Sequence, residues 1–231
     1  MTGYDPLDFP ARSALRGRHA RFAIVAGGAR RYDPQVGVFA ALDAPTPDAL
    51  AGLAALVAAQ GDVAFLEAEA PPAVPGLRVV SQALGVQMVG KDPRPGTLPE
   101  VCIRPLGEGD AEAMLALATL TEPGPFFART HQLGTFLGIE QDGRLLAMAG
   151  ERMKPDGFTE ISGVCTHPDA RGRGYARALI SAVADAIRAR GEVPFLHAYA
   201  SNAGAIALYR SLGFVLRREV QMTRLGADET R

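Results

Sequence analysis

The stretch VCTHPDARGRGYARALI, residues 164–180, restricts the folds open to this chain more than any other. An apolar run of β character ends at Thr166, and an amphipathic helix follows shortly after it. Between them lies Arg171–Gly174, whose glycines allow positive φ and the convergence of backbone amides on a ligand. The helix start adds free N–H groups and a positive dipole end. The junction predicts an α/β fold with a phosphate-type anion site; a basic turn that caps the helix is the alternative.

Two familiar phosphate motifs are absent from this junction. The sequence contains no G-x-x-x-x-G-K-[ST], which excludes a P-loop. Gly172 and Gly174 lead to Arg177, where a dinucleotide fingerprint requires a third small residue. The residues alone therefore leave the anion unidentified.

Composition and charge exclude several function classes. With 231 residues and a net charge of −1, the chain shows no global attraction to nucleic acid or to an anionic membrane. Cys102 and Cys165 form no CxxC pair, so neither a disulfide framework nor a zinc site is predicted, and no metal is expected. Residues 49–60, the longest hydrophobic run, are too few to span a bilayer, and no apolar signal-peptide core precedes them. A cytoplasmic protein is predicted, with no nucleic-acid or membrane partner; a homodimer stays open.

A proline-rich stretch divides the chain. KDPRPGTLPE, Lys91–Glu100, predicts an extended linker, because proline fixes φ and disfavours helix in the residue before it. With a boundary near Thr97, we expect an N-terminal α/β domain of residues 1–96 and a second domain of residues 97–231. The first shows short strands and one helix, with Thr46 as N-cap, but no catalytic motif. It is interpreted as a scaffold or substrate-shaping domain, and a degenerate copy of the second domain is left open.

After the linker the patterns predict the order β-α-β-β-β-α-β-α-β. Gln141–Gly143 marks a hairpin within an antiparallel meander of three strands. The helix that follows the RGRG loop carries one apolar face at helical spacing: Ala176, Leu179, Ile180, Val183 and Ile187. This order predicts a mixed sheet, antiparallel first, with parallel crossover connections later.

These residues also resemble a known family. The strand end Val164–Pro168, the R-x-x-G-x-A pattern of Arg171, Gly174 and Ala176, and the helix resemble the acetyl-CoA signature of the GCN5-related N-acetyltransferases (GNAT). Downstream, the run from Asn202 to Phe214, with Ala205, Ile206, Leu208, Tyr209, Leu212 and Gly213, resembles the second half of that signature. The resemblance covers residues 99–225. The extra N-terminal segment and the wording ISGVCTHPDARGRGYA look most like the FR47-like branch, which is related to glycine N-acyltransferases.

The resemblance implies a GNAT fold with a V-shaped splay between two central parallel strands, and acetyl-CoA as cosubstrate. The backbone of Val164, Cys165 and Thr166 would hold the pantetheine arm. A loop would hold the pyrophosphate: Arg171, Gly172, Arg173, Gly174, Tyr175 and Ala176, with Arg177 close by. Asn202 matches the family's cofactor-contacting asparagine. It also suits a helix N-cap, and both roles can hold at once.

The family's chemistry implies transfer of an acetyl group to the primary amine of a small molecule or peptide by direct attack. Tyr209 matches the tyrosine that protonates the CoA thiolate; the alternative is a packed aromatic. Glu160 stands where related histone acetyltransferases place a base, and burial is expected to raise its pKa. The alternatives are Glu151, His131, a water chain, or a solvent-facing glutamate at position 160.

Other residues receive blander interpretations. His167 is expected to be structural, and His197 on an alternating strand could face either way. Cys165 is expected to be a small buried hydrophobe rather than a nucleophile. Phe126 and Phe127 suit a substrate wall or the core. The competing function is a catalytically silent acyl-CoA-binding module whose N-terminal half contacts a partner, and the acceptor stays undetermined.

Overall fold

The computed structural model describes residues 5–91 and 100–228. Its strands are β1 (Ala23–Ala26), β2 (Ala29–Tyr32), β3 (Ala40–Leu42), β4 (Val63–Glu67), β5 (Leu77–Gly90), β6 (Arg104–Leu106), β7 (Phe136–Gln141), β8 (Arg144–Glu151), β9 (Phe158–Thr166), β10 (Val193–Tyr199) and β11 (Phe214–Ala227). Its helices are α1 (Pro10–Arg16), α2 (Pro47–Gln60), α3 (Ala111–Thr121), α4 (Tyr175–Ala189) and α5 (Ala203–Ser211). No helix among these residues has the length and apolarity needed to cross a bilayer.

Local sequence accounts for the two long helices. Thr46 caps α2, its Oγ1 accepting from the Ala49 amide at 3.3 Å, and Pro47 occupies the first turn as expected. Helix α4 buries Leu179, Ile180 and Val183 against the sheet, and these form part of the largest hydrophobic cluster. Burying such side chains contributes about 1.5–3 kcal/mol each. The predicted apolar face of α4 is therefore the packed face.

Eight strands form the main sheet, in the order β4-β11-β5-β10-β9-β8-β7-β6. Strands β6 to β9 pair antiparallel, and β9 pairs parallel with β10 across the α4 connection. The β9–β10 pairing ends at Glu160 and Phe195, although β9 continues to Thr166 and β10 to Tyr199. The predicted mixed sheet, its antiparallel meander and the splay between two parallel strands are confirmed.

The N-terminal segment contributes two strands to this sheet. Strand β5 lies between β11 and β10, and β4 forms the edge beside β11. The sheet therefore does not divide where a boundary between residues 1–96 and 97–231 was expected. Thr97 itself lies outside the described residues. The apolar run Leu77–Gly90 pairs with β11 along nearly its whole length, which ties the two halves of the chain together.

The two halves repeat one topology. Strands β1-β2-β3 form an antiparallel meander, as do β7-β8-β9, and each meander leads through a helix to a strand parallel to its last member. In the first half that parallel contact is a single bridge, Phe39 to Ala64. The closing strands are exchanged, since β5 pairs with β10 and β11 with β4. A common origin of the halves stays a prediction.

Arg31 connects β2 to the end of α2 in the first half. Its side chain is 1% exposed, and its guanidinium donates to the carbonyl oxygens of Gly61 at 2.6 Å and Asp62 at 3.3 Å. These carbonyls lie at the C-terminal end of α2, where a cation is favoured. The loop before α2 carries no RGRG-type glycines. Of the two crossover helices α2 and α4, it is α4 that begins beside glycines of this type.

Candidate active site

A cavity of about 820 Å³ opens at the splay. One wall is residues 161–166 of β9, and α5 contributes Asn202 and Tyr209. The loop after α3 and the N-terminal half close the other sides, the latter with Phe39, Phe65 and Leu66 among others. The N-terminal half therefore builds part of the same cavity as the predicted site residues.

The exposed edge of β9 is shaped by a bulge. Gly163 and Val164 lie opposite Ala149 alone, between the pairs Ser162–Gly150 and Cys165–Met148, and Gly163 has φ +62°. A bulge disrupts the ladder locally and turns the extra peptide group away from its partner strand. Because β10 has also diverged here, backbone groups around Val164 face the cavity without a strand partner. This is the arrangement expected for a strand that binds an extended ligand arm.

The RGRG loop presents a set of free amides. Gly172 and Gly174 both adopt φ +78°. Within the described residues, the amides of residues 172–174 donate to no protein acceptor. Residues 175–177 form the first turn of α4, where amides lack intrahelical partners. Successive free amides of this kind form an anion-binding concavity. Its occupant stays a prediction.

The three arginines of this region do not act alike. Arg171 is exposed and lines the cavity. Arg173 turns back and donates to the Asp169 carbonyl at 3.2 Å, and Arg177 donates to Ser211 Oγ at 2.8 Å. Arg171 is therefore the guanidinium best placed to meet an anion in the cavity.

Helix α5 carries the two other predicted residues. Asn202 Oδ1 accepts from the Ala205 amide at 3.0 Å, so Asn202 is an N-cap, and the same residue lines the cavity. Tyr209 packs edge-to-face on Phe214, with ring centroids 6.3 Å apart, and also lines the cavity. Burial raises the pKa of Tyr209 above its usual value, so the phenol is protonated at neutral pH. Asn202 is thus an N-cap that borders the cavity, and Tyr209 is a packed aromatic that borders it; the cofactor contact of Asn202 and the acid role of Tyr209 stay predictions.

Glu160 does not behave as expected. Its carboxylate is fully buried and forms a bidentate pair with Arg152, at 2.8 and 2.6 Å, while His197 Nδ1 lies 2.7 Å from it. Burial alone would raise the pKa of Glu160, but the Arg152 charge and these hydrogen bonds hold the pKa well below the usual value. The expected raised pKa is wrong. Because Glu160 is ionised, enclosed and already bonded, it is a structural ion-pair partner rather than a base.

His197 extends this buried network. Its Nδ1–H donates to Glu160, and its Nε2 lies 3.0 Å from the Gln87 amide nitrogen, which makes Nε2 the acceptor. Burial lowers the pKa of His197, so the ring is neutral. Arg217 donates to Gln87 Oε1 at 2.8 Å and continues the chain of bonds to the N-terminal segment. The network fixes β10, β9 and β5 together beneath the splay.

The rival bases are also occupied. Glu151 is buried and pairs with Lys154 and Arg190, each at 2.6 Å; these bonds outweigh burial and lower its pKa. His131 Nε2 lies 2.8 Å from Glu108, and the ring borders a different groove, beside Arg129. His167 accepts from the Asp169 amide at 3.2 Å and caps a short turn, as predicted. Glu151 and His131, the two rivals weighed as bases, are thus bonded to other side chains and lie outside the lining of the cavity.

Phe126 and Phe127, for which either a substrate wall or the core was expected, lie in different environments. Phe126 packs edge-to-face on Phe136, with centroids 5.7 Å apart, in the core under α3. Phe127 lines the cavity. Sequence reasoning did not single out two further lining residues, Arg152 and Glu122. For Glu122, the available sequence signal was a charged residue placed directly after a helix and before Pro-Gly-Pro.

Cys165 lies in the splayed part of β9 but is a poor nucleophile. It is 6% exposed, and burial raises the pKa of its thiol to about 11. Only a thiolate is an effective nucleophile, and its population at neutral pH is therefore small.

We accordingly expect Cys165→Ala to leave kcat/KM for acyl transfer nearly unchanged. Steady-state rates of thiol release measure this directly. A nucleophilic cysteine would instead cost three or more orders of magnitude on replacement. A loss of that size would restore the covalent route.

Known proteins resemble this chain over lengths that range from less than half of it to nearly all of it. A family model described as FR47-like protein matches residues 136–223. A GNAT-family protein of known structure from Novosphingobium aromaticivorans is 45% identical; the match covers 97% of this chain and 100% of that one, with a TM-score of 0.88. A ribosomal protein bS18-alanine N-acetyltransferase from Salmonella typhimurium is 34% identical over 108 residues, 45% of this chain and 72% of the relative.

A more distant structure adds evidence on the fold alone. The GCN5-related N-acetyltransferase from Kribbella flavida is 22% identical, with a TM-score of 0.63 over 94% of this chain and 93% of that one. A relation to glycine N-acyltransferases stays a prediction. Given the splayed sheet, the glycine-rich helix start and these relatives, the chain belongs to the GCN5-related N-acetyltransferase superfamily.

Proposed function

We propose that the protein transfers the acetyl group of acetyl-CoA to a primary amine. The observation that carries the proposal is that the open edge of β9, Asn202 and Tyr209 line one cavity, beside the amides of the RGRG loop. The matched relative from Salmonella is named for N-acetylation of an alanine, which supports an amine acceptor.

The residues present fit coenzyme A. The free amides of residues 172–177 suit a pyrophosphate, with Arg171 adding a charge-assisted donor. The unpaired β9 edge at Val164 and Thr166 suits the amides of the pantetheine arm. The Asn202 side-chain NH2 has no protein partner among the described residues and suits a further polar contact. When bound, acetyl-CoA supplies an activated thioester.

Backbone donors and Tyr209 would divide the work of acyl transfer. An amide on the splayed edge near Val164 polarises the thioester carbonyl, since a fixed donor is aimed where charge develops. Tyr209 remains protonated at neutral pH, because burial raises its pKa. Its hydroxyl has no hydrogen-bond partner in the described chain, so its proton is available to the departing sulfur.

The competing function is a silent acyl-CoA-binding module. A thiol-release assay with acetyl-CoA and a panel of primary amines separates the two, in parallel with calorimetric titration of CoA. Turnover on one or more amines supports the transferase. Tight CoA binding without turnover on any amine overturns it in favour of the binding module.

We expect Tyr209→Phe to lower kcat by about 10²-fold or more with a smaller change in KM, because the lost proton donor acts in the transition state. Single-turnover rates with acetyl-CoA and the best acceptor from the panel test this. Tyr199→Phe, which removes another hydroxyl from the same cavity, is the control and should keep its activity. If Tyr199→Phe loses kcat and Tyr209→Phe keeps it, the acid is Tyr199. If neither variant loses kcat, Tyr209 has a packing role alone.

A further inference from the structure

The charged side chains that line the cavity differ in what they already bind. With Glu160 enclosed, none of the predicted residues is available to take the proton of an acceptor ammonium. Among the described residues, two carboxylates line the cavity, Asp62 and Glu122. Within the described part of the chain, Asp62 pairs with Arg224 at 3.0 Å, whereas the carboxylate of Glu122 makes no hydrogen bond or ion pair. Glu122 is therefore the available carboxylate.

Glu122 also lies at the appropriate end of the cavity. It follows Thr121, the last residue of α3, and the Thr121 hydroxyl lies beside the Cys165 thiol. Cys165 belongs to the splayed segment of β9, against which the thioester arm is proposed to bind. Asp62, in contrast, lies at the start of β4 in the N-terminal half.

The backbone holds Glu122 in an unusual conformation. Its φ of 49° and ψ of 54° are left-handed, and its amide donates to the Ala118 carbonyl at 2.8 Å to end α3. Helices usually place glycine or asparagine at such a position. Pro123 and Pro125 follow immediately and restrict the loop. A non-glycine residue held in a disfavoured region is characteristic of functional sites.

We propose that Glu122 binds the ammonium group of the acceptor and removes its protons. This inference rests on the proposed transferase function. An aliphatic ammonium has a pKa of about 10, so it must be deprotonated before its lone pair can attack. Glu122 is then a catalytic residue that belongs to none of the sequence motifs described above.

The proton balance runs through two side chains. Glu122 takes the first proton from nitrogen and passes it to solvent. The nitrogen lone pair forms the new C–N bond, and the C–S bond breaks as Tyr209 protonates the sulfur. Glu122 takes the second nitrogen proton as the amide forms and passes it to solvent as well, and Tyr209 regains its proton from solvent. One proton is released overall for each amide formed from an ammonium.

The test compares two acceptors in the full-length protein. With an alkylamine that is protonated at neutral pH, Glu122→Gln should lower kcat about 100-fold, within the range of general-base catalysis. With trifluoroethylamine, which is already unprotonated at that pH, the same substitution should lower kcat only a few-fold. Glu112→Gln, on the exposed face of the same helix and outside the cavity lining, is the matched control for both acceptors.

A second variant separates catalysis from folding. Glu122→Gly places glycine in a left-handed position, so its melting temperature should equal or exceed that of the parent while its activity on the alkylamine falls. CoA affinity should be unchanged in both variants. Equal losses on both acceptors, or no loss on either, overturn the role of Glu122 while the transferase function stands. A parent protein that acetylates no amine overturns both.

Discussion

Gly174→Val is expected to lower the affinity for coenzyme A at least about 100-fold. Gly174 has φ +78°, which costs a residue with a Cβ about 1–2 kcal/mol. If the backbone relaxes to relieve this strain, the neighbouring amide N–H groups no longer point towards one shared anion position. Losing two hydrogen bonds to charged phosphate oxygens costs about 3–6 kcal/mol, and each 1.4 kcal/mol is a tenfold change in affinity.

Calorimetric titration of CoA measures this loss, and thermal unfolding measures any damage to the fold. Gly191→Val is the matched control, because Gly191 lies just beyond the other end of α4 with φ +77° and open space around its Cβ position. Both variants should lose similar stability, but Gly191→Val should retain CoA affinity. Unchanged affinity in Gly174→Val would show that the loop is a capping turn rather than a phosphate cradle.

The parts of the fold that the sequence predicts well are encoded locally. Glycine at positive φ, a threonine N-cap and the helical spacing of Leu179, Ile180 and Val183 depend only on neighbours in the chain. The RGRG loop and the splay after Glu160 belong to the same unit, since one crossover helix connects the two parallel strands. Local signals therefore predicted most of the residues that border the splay and the glycine-rich helix start.

The remaining features depend on distant contacts. The run Leu77–Gly90 is recognisable as a strand, but its insertion between β10 and β11 depends on pairing with residues far along the chain. Strand alternation predicts which face Glu160 occupies, but not that Arg152 lies opposite it. The sign of a buried carboxylate's pKa shift depends on that partner, because burial and an adjacent cation act in opposite directions. Glu122 was missed for a similar reason, since its place in the cavity depends on the packing of α3 against β9.

Glu160→Gln is expected to lower the free energy of unfolding by about 3–5 kcal/mol. The substitution leaves the Arg152 guanidinium buried without its counterion, and an uncompensated buried charge is costly. Since the carboxylate has a depressed pKa in the folded state, its stabilisation is complete above its unfolded value of 4.5 and is lost as the pH falls towards the folded pKa. The difference in the free energy of unfolding between parent and variant should therefore be largest at pH 7 and become smaller in acid.

Urea unfolding at two pH values measures this difference. The kcat of acetyl transfer, measured below the melting temperature of the variant, shows whether the chemistry is affected. Arg152→Met added to Glu160→Gln should recover part of the lost stability, because it removes the unpaired charge. Glu140→Gln, which breaks an exposed pair with Arg104, should change stability little. If the folded Glu160→Gln protein kept its stability but lost kcat, Glu160 would act in the reaction and the ion-pair assignment would be wrong. Retained kcat with lost stability is the result that the enclosed Arg152–Glu160–His197 network requires.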